Sequence, residues 1–231
     1  MKRIGIICAM SEELKLLKDA IKNAHTIHIK ELNFYVGTLY SQPVVLVKSG
    51  IGKVQAGATA AILIANFNIK VVIHSGSAGG IGNNIKIGDL IISTGTVYHD
   101  VDVTAAGYKY GQLPDQPLIF KASPMWENLL VKSAQNVGIK VKRGLIVSGD
   151  QFVSSNASDH KILKYFPTAL ACEMEGAAVG QIAHWFHVPY VVIRAMSDNG
   201  NDEAEINFKK FLITAGKRSA QIVLNLCKDL Q

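Results

Sequence analysis

Two glutamates in an apolar setting constrain this chain most. The stretch Ala171-Cys172-Glu173-Met174-Glu175-Gly176-Ala177-Ala178 follows an apolar run. It leads into an apolar helical pattern carried by Ala177, Ala178, Ile182, Ala183 and Phe186. That reads as a strand turning into a buried helix, with two carboxylates at the turn. Glutamate is seldom buried without a partner, so the pair needs a reason. One reason is a helix N-terminus, where the dipole favours acidic side chains. The other is a carboxylate that faces a cavity and binds hydroxyl groups. A second apolar strand, Val191-Val192-Ile193-Arg194-Ala195-Met196-Ser197-Asp198, also ends in an acid and adds weight to the cavity.

The rest of the chain repeats the alternation of strand and helix. Residues 3–9 are apolar throughout, as in a central strand covered on both faces. Ser11, Glu12 and Glu13 then open a helix with the stripe Leu14, Leu17 and Ile21. Acids suit that first turn, but the carboxyl end of a central parallel strand is also where open α/β sheets place ligands. Residues 26–40 read as a hairpin and 43–48 as a strand, followed by the Gly-rich turn Ser49-Gly50-Ile51-Gly52-Lys53 and a helix over 54–66. The turn lacks the spaced glycines and the Ser/Thr after lysine that a phosphate loop needs. Val71–His74 is a strand running into Ser75-Gly76-Ser77-Ala78-Gly79-Gly80, either a tight turn or a place where backbone approaches a ligand.

Residues 88–97 form a long apolar strand, and a polar segment follows over 98–115. His99, Asp100 and Asp102 there fit a surface loop better than a metal site. A helix at 123–137, a strand at 141–147 and a short helix at 158–166 lead to the strand with Cys172. After it come a helix over 175–187, a strand over 190–196 and a last helix from near Glu205. That helix carries the stripe Phe208, Phe211, Leu212, Ala215, Ile222, Val223 and Leu226. No repeat or linker interrupts the pattern. The expectation is one α/β domain over residues 1–231, three layers with a central mixed, mostly parallel β-sheet flanked by helices.

Composition narrows the classes. Apolar residues make up 48% of the 231 and charged residues 18%, which fills a large core and excludes disorder. The net charge of +6 comes from scattered lysines and arginines without interleaved aromatics, so nucleic acid is not an expected partner. Cys8, Cys172 and Cys227 lie far apart without metal-type spacing, which suits a reducing compartment. The N-terminal apolar run is short and breaks into Ser11-Glu12-Glu13, so it reads as a first strand rather than a signal peptide. No run has transmembrane length, and the expected location is the cytoplasm, away from any membrane.

Four acids stand at or just after strand ends: Glu13, Glu175, Asp198 and, less firmly placed, Asp150. Ser77 and Phe152 stand at two more. In one sheet such ends converge on a single edge. A site of carboxylates, small residues and an aromatic, with no cysteine nucleophile and no metal set, suits water-mediated cleavage through a cationic, oxocarbenium-like transition state. Phe152 is placed to stack on a flat base. A His/Asp proton relay is the competing picture, but His74 and His99 have no evident partner.

These residues carry a resemblance. The chain resembles the bacterial 5′-methylthioadenosine/S-adenosylhomocysteine nucleosidases of the purine nucleoside phosphorylase superfamily. The matching pieces are residues 6–13, 48–54, 76–80, 98–104, 144–150, Glu173-Met174-Glu175 and Ser197-Asp198, in the family's order along almost the whole chain. The resemblance implies that Glu13 activates the attacking water and Asp198 protonates adenine N7. It implies that Glu175 and the Met174 backbone hold the ribose hydroxyls, that Phe152 stacks on the base, and that the Val153 backbone meets the adenine edge. Ser77, Ile51, Met174 and Phe208 would line the ribose and 5′-thio pocket, with Glu173, Arg194 and Ser197 in support. It further implies hydrolysis of methylthioadenosine, S-adenosylhomocysteine and 5′-deoxyadenosine in methionine salvage, a homodimer, and no cofactor or metal. The chain departs from the pattern at Ala106, where many members place an aromatic that reaches across the dimer, and Tyr108 or Val103 would have to substitute. It departs again in the polar run Asn199-Gly200-Asn201-Asp202.

Phosphorolysis is the first rival. The bacterial phosphorylases carry a phosphate-binding arginine just before the Gly-Ser turn, where this chain has His74, and Glu13 would repel phosphate. A nucleoside-binding protein without chemistry is a second rival, although it would not need all three acids. A futalosine-type hydrolase is the third, with the same catalytic logic and a different 5′ pocket.

Overall fold

The computed structural model describes residues 2–201 and 203–231; Asp202, the last residue of the polar run after Asp198, lies outside them. The first strand, β1 (Arg3–Cys8), leads into α1 (Ser11–Ala20). Then come β2 (Lys22–Ile29), β3 (Leu32–Leu39) and β4 (Gln42–Lys48), followed by α2 (Lys53–Phe67), β5 (Ile69–Gly80) and β6 (Leu90–Tyr98). A single 3₁₀ turn at Thr104–Ala106 and the short β7 (Phe120–Lys121) precede α3 (Pro124–Asn136) and β8 (Lys142–Ser148). The chain finishes with α4 (Asn156–Tyr165), β9 (Ala169–Glu173), α5 (Gly176–Trp185), β10 (Tyr190–Asp198) and α6 (Ala204–Asp229).

The strands form one ten-stranded mixed sheet flanked by helices, as expected. Alternation along its central strands sorts side chains onto two faces. Ile4, Ile6 and Cys8 of β1, with Val71 and Ile73 of β5, pack under α1, α3 and α6. Ile7 of β1 and Val72 of β5 pack under α2 and α5. Both faces are covered, which is why these strands read as continuous apolar runs. The expected hairpin is β2–β3, and it starts earlier, at Lys22 directly after α1. Nearly all of β2 is exposed, and its polar residues Lys22, His25 and His28 suit a sheet edge. β7 has two residues, too few to leave a periodic signal.

One feature of β5 builds the site. The Gly-rich stretch 75–80 is not a tight turn but the second half of a 12-residue strand. β5 pairs in parallel with β1 as far as His74, then meets β9 at Gly79 and Gly80, while β10 runs alongside from Val72 to Gly79. β10 pairs with β6, β6 with β8, and β8 with β9, so five strands close into a ring and β1 is left outside it. Where β5 leaves β1, a crevice opens beyond the carboxyl ends of the parallel strands, where such sheets bind ligands.

Helix α1 carries Glu13 to that crevice. Leu17, one turn on, is fully buried and anchors α1 within the core it shares with α6. Leu17→Ala is expected to cost about 2–5 kcal/mol of stability, as truncations at fully buried leucines do. Urea unfolding checks this, and a loss under about 1 kcal/mol would mean that α1 is not anchored through Leu17.

Candidate active site

A cavity of about 330 Å³ lies in the crevice. Its lining brings together Glu13, Ile51, Ser77, Phe152, Val153, Met174, Glu175, Ser197, Asp198, Phe208 and Glu173. Arg194 is not in the lining. It lies fully buried and binds two of the acids from behind. Asp150 is outside as well: it is exposed, accepts from the Lys53 N–H at 2.8 Å, and pairs with the Lys53 ammonium at 3.5 Å.

Glu13 is the third residue of α1, and its carboxylate turns back over the end of β1. One oxygen accepts from the backbone N–H groups of Ala9 and Met10 at 3.0 and 3.1 Å. The other accepts from the N–H and the hydroxyl of Ser77 on β5, at 2.8 and 2.9 Å. Four donors thus hold a side chain that is only 1% exposed, and they tie β1 to β5 where the two strands part.

The two glutamates of the 171–178 stretch divide the roles that the sequence left open. Glu173 takes the helix-terminus role: its carboxylate accepts from the N–H of Gly176 at 2.8 Å and of Glu175 at 3.1 Å, at the start of α5. It also accepts short hydrogen bonds from Ser148 and Arg194. Glu175 is the cavity acid. It sits at the N-cap of α5 with non-helical backbone angles, accepts from the Gly52 N–H at 2.9 Å, and lies 3.3 Å from Arg194. Burial, and then the charge of Glu173, push the Glu175 carboxyl up to about 8, against the pull of Arg194 and the Gly52 N–H.

Arg194 reaches these acids across the glycines of β5. A Cβ on Gly76 would lie 2.1 Å from its Nη1 and 2.6 Å from Glu13 Oε1. One on Gly79 would lie 2.7 Å from Asp198 Oδ1. The strand carries glycine there so that three charged side chains can pass over it. Burial by itself would lower the guanidinium, but Glu173, Glu175 and Glu13 outweigh it and hold Arg194 raised. His74 Nδ1 lies within hydrogen-bond distance of Arg194 Nη2, at 3.0 Å, and burial followed by the Arg194 charge holds its imidazole well below its ordinary range, hence neutral.

Asp198 ends β10 and is 2% exposed. It accepts from the Ser197 hydroxyl and from the Gly200 N–H, both at 2.9 Å. Burial raises the carboxyl above its usual range, and those two donors pull it back only in part. Phe152 and Phe208 meet edge to face across 5.5 Å at the outer wall.

Sequence reasoning missed Ala9, Met10, Ala78, Gly79, Gln151, Cys172 and Gly200, which also line the cavity. Most are neighbours of the residues it found, and strand-end position was their only signal. The His99–Asp100–Asp102 segment is split three ways. His99 is buried 3.5 Å from the Cys172 sulfur, Asp100 pairs with Lys53, and Asp102 accepts from Thr104. No group of three or more metal-type side chains occurs among the described residues. Val103, Ala106 and Tyr108 are not part of the lining, and Ala106 is exposed on the 3₁₀ turn.

Removing Arg194 exposes its role. Glu175 is raised even with the guanidinium present, and without it the folded-state pKa climbs further. Its contribution to stability is therefore present below the unfolded carboxylate range, around pH 4, and is lost as pH rises toward and beyond 8. Arg194→Leu is expected to lose about 3–5 kcal/mol at about pH 9.5, above the raised Glu175 range, and clearly less at about pH 6, below it, measured by urea unfolding. Equal losses at both pH values would assign the cost to packing.

Comparison with known proteins places this arrangement. The profile of the phosphorylase superfamily matches residues 3–228. The 5′-methylthioadenosine/S-adenosylhomocysteine nucleosidase of Staphylococcus haemolyticus is 46% identical over 231 residues, covering 98% of this chain and 100% of that protein. The crystal structure of the corresponding Neisseria meningitidis nucleosidase, in complex with methylthio-immucillin-A, superposes with a TM-score of 0.97 at 41% identity, over 99% of this chain and 100% of that one. The native futalosine hydrolase of Helicobacter pylori superposes with a TM-score of 0.94 at 32% identity, over 99% of this chain and 98% of that one. The chain belongs to the phosphorylase superfamily and, within it, to the 5′-methylthioadenosine/S-adenosylhomocysteine nucleosidase family.

Proposed function

We propose that this chain hydrolyses the N-glycosidic bond of 5′-methylthioadenosine and S-adenosylhomocysteine, releasing adenine. The observation that carries the reading is the cavity's carboxyl lining. Its lining gathers Glu13, Glu173, Glu175 and Asp198, and no lysine, arginine or histidine is among the described lining residues. A site that has to bind phosphate needs donors of positive charge, and the nearby Arg194 is engaged by Glu173 and Glu175. Water is therefore the nucleophile, and negative charge steadies the cationic sugar.

The roles follow from the surroundings. Asp198, raised by burial, donates its proton to N7 of adenine, so the bonding pair of the glycosidic bond leaves with a neutral base. Water attacks the sugar carbon and passes a proton to Glu13, which four donors hold in place. Glu175 binds the ribose hydroxyls, and the base lies between the Val153 backbone and the Phe152–Phe208 wall. The Helicobacter pylori futalosine hydrolase shares the fold, so the fold by itself does not separate the two substrate classes.

The partner across the 5′ end is a second copy of this chain. Ile51, Val54 of α2 and Trp185 at the end of α5 are large apolar side chains, 52%, 82% and 74% exposed. α2 packs against α5. Sedimentation equilibrium is expected to give twice the 25.0 kDa chain mass, with Val54→Asp shifting the population toward monomer. A monomer at micromolar wild-type protein would refute the pairing. No helix among the described residues is long and apolar enough to cross a membrane. The three cysteines are buried and unpaired, which fits work in the reducing cytoplasm.

Adenine release in phosphate-free buffer tests the chemistry. Wild type is expected to cleave both nucleosides at a rate that added phosphate leaves unchanged. Asp198→Asn should lose about 10²–10⁴-fold in kcat while still binding nucleoside. Asp198 gives the cleaner variant, because Glu13→Gln would set an amide NH₂ against backbone donors. Turnover that requires phosphate and yields ribose 1-phosphate would replace hydrolysis with phosphorolysis.

A further inference from the structure

Asp150 lies outside the cavity, yet it touches the parts of the chain that shape one side of it. That side is drawn from three distant segments. Ile51 comes from the turn before α2, Gln151, Phe152 and Val153 from the segment after β8, and Glu175 from the N-cap of α5. Ile51 and Phe152 are about half exposed, at 52% and 45%, so burial alone does not fix these two loops.

The N-terminus of α2 supplies the tie. Its N-cap is Gly52, which has no capping side chain, and its first turn holds no acid of its own. The free N–H groups of a helix start need acceptors, and two come from elsewhere in the chain. The Gly52 N–H donates to Glu175 Oε1 at 2.9 Å, and the Lys53 N–H donates to Asp150 Oδ1 at 2.8 Å. Consecutive amides thus hold an acid of the cavity lining and the residue that leads into Gln151 and Phe152. Gly52 adopts φ +98°, and a Cβ on it would lie 3.2 Å from Asp150 Oδ1.

The Lys53 side chain makes the same connection a second time. Its ammonium donates to Asp100 Oδ2 at 2.6 Å, lies 3.5 Å from Asp150 Oδ2, and stands over the Tyr98 ring at 5.4 Å. Asp100 Oδ2 also accepts from the Asp150 N–H at 2.8 Å. One oxygen of a carboxylate that is 12% exposed therefore joins the lysine to the backbone of the 149–153 segment. That segment comes close because residue 149 is glycine. A Cβ there would lie 2.5 Å from the His99 ring and 3.0 Å from the Asp100 carboxyl carbon.

The Asp150 carboxylate is 49% exposed, and ion pairs of such groups contribute little to stability. What the cluster fixes is the spacing of two loops. The two acids assigned to chemistry are held by other donors: Asp198 by Ser197 and Gly200, Glu13 by Ala9, Met10 and Ser77. We propose that Asp150 and Lys53 are positioning residues for substrate binding: joined through Asp100, they hold the Phe152–Val153 wall in register with Glu175, so that the base and the ribose of one nucleoside are gripped together. The inference rests on the nucleosidase reading for what is bound, but one arm of its test needs no ligand.

That test combines adenine-release kinetics with NMR-detected deuterium exchange of the ligand-free protein. Asp150→Ala removes the acceptor of the Lys53 N–H, whereas Asp150→Asn keeps an oxygen there. Asp150→Ala is expected to raise KM for methylthioadenosine about tenfold and to leave kcat within about twofold, since ground-state grip is lost and the chemical acids are not disturbed. Its Gly52 amide, whose own acceptor Glu175 is intact, should exchange about tenfold faster than in wild type. Asp150→Asn should stay within about threefold of wild type in both readouts. Lys53→Met should act in the direction of Asp150→Ala, and Lys53→Arg should restore most of the loss. An unchanged KM or an unchanged Gly52 exchange in Asp150→Ala would overturn the proposal. So would a fall in kcat at constant KM, which is what loss of folded protein predicts. A wild type without turnover would sink the hydrolase reading alone, because Gly52 exchange and the calorimetric Kd for methylthioadenosine then decide this one.

Discussion

The structure depends on one buried arginine. Arg194 is fully excluded from solvent on a central strand, where it pairs closely with Glu173 and lies 3.3 Å from Glu175. Such an ion pair contributes less to stability than its Coulomb energy suggests, because both partners must be stripped of water. What it secures is geometry. It lets two glutamates stand two residues apart at a helix start, one serving the helix and the other accepting from Gly52 at the cavity wall. The arrangement also requires a neutral His74 beside Arg194 and a glycine at position 76. An arginine committed to internal acids is not available to an anionic substrate, so the same interaction that stabilises the site also biases it toward water.

The cavity comes from the path of β5. That strand exchanges β1 for β9 partway along its length and closes a five-stranded ring with β10, β6 and β8. The exchange leaves the ends of β1, β5, β9 and β10 facing one crevice. Glu13 bridges the point of parting, with one carboxylate oxygen on each side of it. A residue assigned to chemistry is thereby also a clasp, and its precise donors explain why a change at Glu13 acts on structure and reaction together. Asp198 is held differently. It has two donors where Glu13 has four, and burial leaves it with the raised pKa that a proton donor requires.

Much of this was legible in the sequence because it rests on local rules. Apolar runs of strand length, covered on both faces, marked β1, β4 and β10, and threefold and fourfold spacing marked α6. Acids at strand ends pointed to Glu13, Glu175 and Asp198, since a carboxylate among apolar residues has few inexpensive explanations. Other features left no local trace. The glycines of 75–80 suggest a turn until the side chains that cross over them are known. β7 is too short for a pattern. Asp150 shares the strand-end signal, yet Lys53 draws it away from the cavity.

Sequence alone determined the order of elements, the double-faced core and the types of group gathered at the sheet's edge, because burial periodicity and the cost of isolated charge act over a few residues. Tertiary structure decided which acid does what. Whether Glu173 or Glu175 serves the helix start and whether Asp150 joins the site depend on partners dozens of residues away. Those partners set burial and nearby charge, and burial and nearby charge set where a proton resides.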